Sequence, residues 1–163
     1  MQPRSPRVVE LLNDALTFEL TVVNTYFLNA RMLDSWGLPK LGKVFYELSI
    51  AEMNDADDLI KRILFFDGHP NVQRLNAITV GETPQEMLEL ALRSEYEAVA
   101  QFNTSAQECH GLGDHGTGAV FEEMVRDEEE HADFFESQLA AVRLAGVQNY
   151  LAAQTAPGEA PKG

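Results

Sequence analysis

The stretch Arg126-Asp127-Glu128-Glu129-Glu130-His131 decides how the rest of the chain is read. Glu128 and His131 stand three residues apart inside an apolar helical pattern, so they share one helix face. Continuing that face in both directions gives Phe121, Met124, Glu128, His131, Phe135 and Gln138. A carboxylate and an imidazole thus occupy positions where the pattern calls for core residues. A buried charge requires a partner, and a metal ion is one. By itself the Glu-x-x-His pair also fits an acidic helix facing solvent, and three further carboxylates separate the two readings.

Glu19 lies in the stripe Leu12, Leu16, Glu19, Val23, Tyr26, Ala30; Glu52 in Phe45, Leu48, Glu52, Asp55, Leu59, Ile63; and Glu95 in Leu88, Leu92, Glu95, Val99, Phe102. Each interrupts an apolar seam. Glu19 to Glu52 and Glu95 to Glu128 both span 33 residues, and the second pair follows the first by 76, which implies two similar helical hairpins. A four-helix bundle with one Glu from each of two helices and Glu-x-x-His from each of the other two is the dinuclear carboxylate arrangement of the ferritin-like proteins. Glu19, Glu52, Glu95, Glu128 and His131 match five of its six positions, and the sixth is Asp55 where the pattern has His.

Composition agrees with one domain that handles cations. At 163 residues and 45% hydrophobic, the chain can bury a single core. A formal charge of −14, from 12 basic and 26 acidic residues, argues against nucleic acid or an anionic membrane as partner. One cysteine, Cys109, permits neither an internal disulfide nor a Cys-rich metal site, and reads as an incidental buried thiol in a reducing compartment. No apolar signal segment opens the sequence and no apolar run approaches membrane-spanning length, so a cytoplasmic location is expected.

In chain order, Ser5-Pro6 opens a first helix that runs to about Trp36, roughly 30 residues or about 45 Å. A second runs from about Lys40 to Phe66 and stops at Asp67-Gly68-His69-Pro70. Residues 67 to about 82 lack helical periodicity and form a crossover long enough to join opposite ends of a bundle. Thr83-Pro84-Gln85-Glu86 opens a third helix, by cap, first-turn proline and capping acid, that lasts to about His110. The fourth runs from about Gly116 to Ala145, and Gly146 separates it from a short fifth, Val147 to about Gln154. The expected layout is an all-α four-helix domain over 1–155 and a disordered tail over 156–163.

Across nearly this whole length the sequence resembles the bacterioferritin family. The resemblance is carried by Tyr26-Phe27-Leu28-Asn29-Ala30-Arg31-Met32, Trp36-Gly37-Leu38, Glu52-Met53, Arg62-Ile63-Leu64-Phe65, Asp127-Glu128-Glu129-Glu130-His131 and Gly146-Val147-Gln148-Asn149-Tyr150-Leu151. It implies a 24-subunit shell that oxidises Fe(II) at a di-iron centre in each subunit, stores the ferric mineral and carries haem b between subunit pairs. It also implies that Glu19, Glu52, Glu95, Glu128 and His131 bind iron, and that Met53 ligates the haem. Helix geometry agrees with the last point: one residue beyond Glu52 is about 100° around the helix, so an inward Glu52 sends Met53 to the flank. Flank methionines also serve simply as dimer packing. Under the resemblance, one Met53 from each of two subunits places the iron on a twofold axis, with Leu20, Val23, Asn24 and Phe27 as candidate neighbours.

Asp55 is the departure. Its carboxylate oxygen hangs from Cγ as an imidazole Nδ1 does, so it has the reach to coordinate; alternatively it points away and weakens the second iron site. If it coordinates in ionised form, the six-ligand set carries −5 rather than −4, which favours Fe(III) over Fe(II). Glu47, Leu48 and Ala51 also stand where the family often has His or acidic residues on its inner wall. Three functions follow: a haem-containing ferroxidase and storage subunit that uses dioxygen or peroxide; a haem-bearing subunit of a hetero-oligomer whose partner chain supplies catalysis; and a DNA-protecting mini-ferritin. The acidic charge, the fifth helix and ligands within one bundle disfavour the third.

Overall fold

The computed structural model describes residues 1–155; the tail over 156–163, expected to be disordered, lies outside the described residues. The helices are α1 (Pro6–Ser35), α2 (Pro39–Phe65), α3 (Pro84–Gly111), α4 (His115–Ala145) and α5 (Val147–Gln154), and no strand forms among the described residues. The starts are chemically specified. Ser5 accepts the Arg7 N–H ahead of Pro6, Thr83 accepts that of Glu86 ahead of Pro84, and Asp114 accepts that of Thr117. Asp114 explains why α4 begins at His115, one residue before the expected Gly116: the aspartate caps the helix directly after the Gly111–Gly113 break.

α1 packs on α2 and α3 on α4 as two antiparallel hairpins. The hairpins join with α1 antiparallel to α3, since the Arg7 guanidinium near the start of α1 lies 2.8 Å from Glu108 near the end of α3. The crossover is tied to α1 along a polar stripe at four-residue spacing, Asn13, Thr17 and Thr21. Asn13 donates to the His69 carbonyl and accepts from the Asn71 N–H, Arg74 donates to Thr17 and Asp14, and Thr21 accepts from the Asn76 N–H. The eighteen residues between Phe65 and Pro84, which form no helix or strand, are thereby given hydrogen-bond partners by one helix.

Two aromatic layers fill the bundle. Tyr26, Phe45 and Phe135 pack with ring centroids 5.4–5.9 Å apart, and Phe18, Phe102 and Phe121 pack at 6.0–6.2 Å. Along α1 and α4 the first layer follows Glu19 and Glu128 and the second precedes them, while in the antiparallel α2 and α3 the order reverses, so the four glutamates lie between the layers. At the far end, Gly146 takes φ 80°, ψ 145°, backbone geometry that only glycine adopts without strain, and turns α5 off α4. α5 is held by the Tyr150 hydroxyl donating to Gln138 and by Lys40 donating to the Ala153 carbonyl.

Candidate metal centre

Each bundle helix delivers one glutamate to the interior: Glu19 is 0% exposed, and Glu52, Glu95 and Glu128 are 1% exposed. The heptad-like seam explains this, because each glutamate takes the place of an apolar residue on the core face. Burial of that kind is opposed by several kcal/mol per unpaired charge, and among the described residues His131 is the one basic side chain that forms an ion pair with these groups. Their main internal counter-charge is His131, whose Nδ1 lies 3.1 Å from Glu52 Oε1 and 3.4 Å from Glu128 Oε2. These contacts are short but misaligned for hydrogen bonding, and both oxygens of Glu19, both of Glu52, Glu128 Oε1 and His131 Nδ1 have no hydrogen-bond partner. Buried polar atoms left without partners are what donors awaiting a cation show.

The candidate donors fall into two overlapping groups, each with ligand-type atoms within 4.8 Å of one another: Glu52, Glu95, Glu128 and His131; and Glu19, Glu52, Asp55 and Glu128. Glu52 and Glu128 belong to both. Two cations held this way would share two bridging carboxylates. Asp55, which the sequence left either reaching inward or turned away, has its carboxylate inside the second group and is half-buried.

Electrostatics show the strain of such a set without a cation. Burial pushes the Glu19 carboxyl well above its ordinary value, with the charges of Glu52 and Glu128 acting the same way. Glu95 is likewise pushed well above by burial, then by Glu128 and Glu52. Burial also raises Glu52, with His131 opposing. Asp55 is pushed up to about 7 by burial, then by Glu52, Glu128 and Asp127. For His131, burial disfavours the imidazolium, but Glu128 and Glu52 outweigh it and push the group up to about 11. These directions favour proton binding on the carboxyls, and a divalent cation bound in the cluster would compete with those protons.

Tyr26, which the sequence places in the apolar seam of α1 and in a stretch of family resemblance but in no site role, has a hydroxyl that is buried with its ring and donates a hydrogen bond to Glu95 Oε1. The signal was available, because a tyrosine on a core face needs a partner for its hydroxyl and Glu95 is a seam acid. Arg62, which enters the sequence pattern only within a stretch of resemblance, donates to Thr117 and pairs with Asp114 at 3.3 Å, tying α2 to the start of α4.

Met53 lies on the flank as expected, 45% exposed beside a Glu52 that is 1% exposed. It extends an exposed stripe of Tyr46 and Ile50 on α2, next to Phe27 of α1, with the Arg31 guanidinium over the Phe27 and Tyr46 rings at 5.2 and 5.0 Å. Of its other expected neighbours, Asn24 is exposed, Leu20 half-buried and Val23 buried. Glu47 is exposed and 3.5 Å from Lys43, while Leu48 and Ala51 are half-buried. Cys109 is buried. Among the described residues no helix is long and apolar enough to cross a membrane.

Four bundle helices, each lending a buried glutamate to one paired donor set, define a ferritin-like carboxylate bundle, and the model of the ferritin-like domain matches residues 9–145. The chain belongs to the bacterioferritin family. It is 43% identical over 154 residues to the bacterioferritin of Brucella melitensis, covering 94% of this chain and 96% of that one. It is 40% identical over 154 residues to that of Rhodobacter capsulatus, with the same coverage. A solved structure of Rhodobacter capsulatus bacterioferritin, described with a metal-free dinuclear site and haem iron in a crystallographic special position, superposes with a TM-score of 0.96 at 38% identity, covering 99% of this chain and all of that one.

Proposed function

We propose that the chain is a ferroxidase subunit of an iron-storing shell, with Glu19, Glu52, Asp55, Glu95, Glu128 and His131 binding two irons as substrate in a domain spanning 1–155. The observation that carries this reading is the pair of overlapping donor groups with orphaned oxygens, enclosed by two aromatic layers. Two Fe(II) ions give up two electrons, which reduce one hydrogen peroxide to two waters with uptake of two protons, or one dioxygen to hydrogen peroxide with uptake of two protons. Glu52 and Glu128 hold the irons close enough to act together, Glu19 and Glu95 close the two ends, and the aromatic layers exclude bulk water. Hard carboxylate oxygens stabilise Fe(III) over Fe(II), so the same ligands drive the oxidation.

Haem b fits the flank. Met53 offers a thioether, and Phe27, Tyr46 and Ile50 offer an exposed apolar face for a flat macrocycle. Met53 and these flank residues would hold haem, which would supply one-electron transfer. The special position of the haem iron in the Rhodobacter relative supports a symmetric pair of ligands. Exposed apolar groups on the flank, together with Leu144 at 90% exposure, favour assembly with further copies, proposed as a cytoplasmic 24-mer.

Asp55 favours a second reading: a haem-bearing subunit with a weakened centre, assembled with a partner chain that oxidises the iron. The two are separated by anaerobic Fe(II) titration of the purified homopolymer followed by an oxygen pulse, with Glu128→Ala as control. Rapid oxidation of two irons per subunit supports the ferroxidase, and a rate equal to that of Glu128→Ala supports the hetero-oligomer. In the second case Asp55→His accelerates the first iron additions.

A further inference from the structure

The two donor groups are chemically unequal. Glu52 and Glu128 are common to both, so the difference lies between Glu95 with His131 on one side and Glu19 with Asp55 on the other. The first half contains an imidazole; the second contains oxygen alone. No other histidine makes up the deficit. His110 and His115 lie 3.0 Å apart at the α3–α4 turn, where His110 also meets Glu122 at 2.9 Å, and His69 is on the crossover beside Asn13. The oxygen-only half is nonetheless built for a cation, because both Glu19 oxygens and both Glu52 oxygens are buried without partners.

Donor chemistry separates the ions that two such halves hold. Imidazole strengthens binding of iron(II), cobalt and zinc, whereas carboxylates alone suit manganese and other hard cations. A centre with histidine in both halves has no such contrast. Here the contrast is set by one residue, since replacing Asp55 by His would equalise the donors.

We propose that this centre sorts cations: the Glu95–His131 half takes the borderline divalent ion, and the Glu19–Asp55 half takes a hard, oxygen-seeking one, so that a mixed pair is held on the shared carboxylates Glu52 and Glu128. The proposal rests on the reading of these six residues as ligands. The sorting is a property of binding and needs no turnover.

The test uses the full-length assembled protein freed of metal, given one equivalent of Zn(II) per chain and then excess Mn(II). Anomalous diffraction on both sides of the zinc and manganese absorption edges locates each ion, and the Mn(II) EPR signal counts the bound manganese in solution. Zinc is expected in the His131 half over the Glu19 half on the order of tenfold, with manganese in the Glu19 half. Asp55→His is expected to abolish the preference and admit zinc to both halves. Asp55→Asn, which keeps the shape and adds no strong nitrogen donor, is expected to weaken manganese on the order of tenfold and leave zinc in place. Zinc spread evenly over both halves of the parent, manganese beside His131, or an unchanged preference in a folded Asp55→His overturns the sorting while leaving a dinuclear centre intact. Neither ion in either half overturns both the sorting and the dinuclear reading.

Discussion

Asp55 shows how much one side chain alters a shared site. Its carboxyl stands at about 7 in the folded chain against an ordinary 3.8 because burial and the charges of Glu52 and Glu128 oppose its ionisation. The folded state therefore holds the proton more tightly than the unfolded state. The stability this lends is complete below about pH 4 and is lost as pH rises through 7. In metal-free protein, Asp55→Asn should accordingly raise Tm by an amount that grows between pH 4 and 8, measured by calorimetry against the parent. A Tm difference independent of pH would mean that Asp55 does not titrate in this range. Tyr26 acts one bond further out. Tyr26→Phe removes the hydroxyl that bonds Glu95 while keeping the ring in its aromatic layer, so affinity for Zn(II) should fall on the order of 10-fold to 100-fold with little change in fold. A competitive chelator titration reads this, and unchanged affinity would show that Glu95 is positioned by packing alone.

At the scale of elements, the bundle depends on a few polar tethers between helices whose seams are otherwise apolar. Asp114 is buried, caps α4 through the Thr117 N–H and pairs with Arg62 of α2. Removing it unsatisfies the cap and leaves a half-buried guanidinium without its carboxylate. Asp114→Ala should therefore destabilise the chain by about 1–2 kcal/mol, read from urea unfolding, and should fray the first turn of α4 by hydrogen exchange. Uniform protection across α4 would count against the capping role. The crossover depends on α1 in the same way, through Asn13, Thr17 and Thr21 at successive turns.

On the scale of the whole molecule, the −14 charge and the exposed flank pull in different directions. Net negative charge keeps separate molecules apart, while Phe27, Tyr46, Ile50 and Met53 present an apolar face that invites a second copy. Met53→Leu keeps that face apolar but removes the thioether, so the purified variant should lose its Soret band and retain its assembly state by size exclusion. A Soret band at parental intensity would exclude Met53 as a ligand.

Sequence alone determined the helices, their hairpin pairing, the crossover and the six candidate donors, because seam periodicity, capping residues and equal 33-residue spacings are local or repetitive signals. It also placed Met53 on the flank, since helical rotation fixes the angle between neighbours. Whether Asp55 turns inward was a matter for tertiary structure: a side chain's direction in a shared cavity depends on what three other helices place around it. The same holds for the Tyr26–Glu95 bond, which joins residues 69 apart, and for the division of the donors into an imidazole half and an oxygen half. Spacing along one helix names the residues on a face, but only packing of the four helices sets which of those residues meet at one ion.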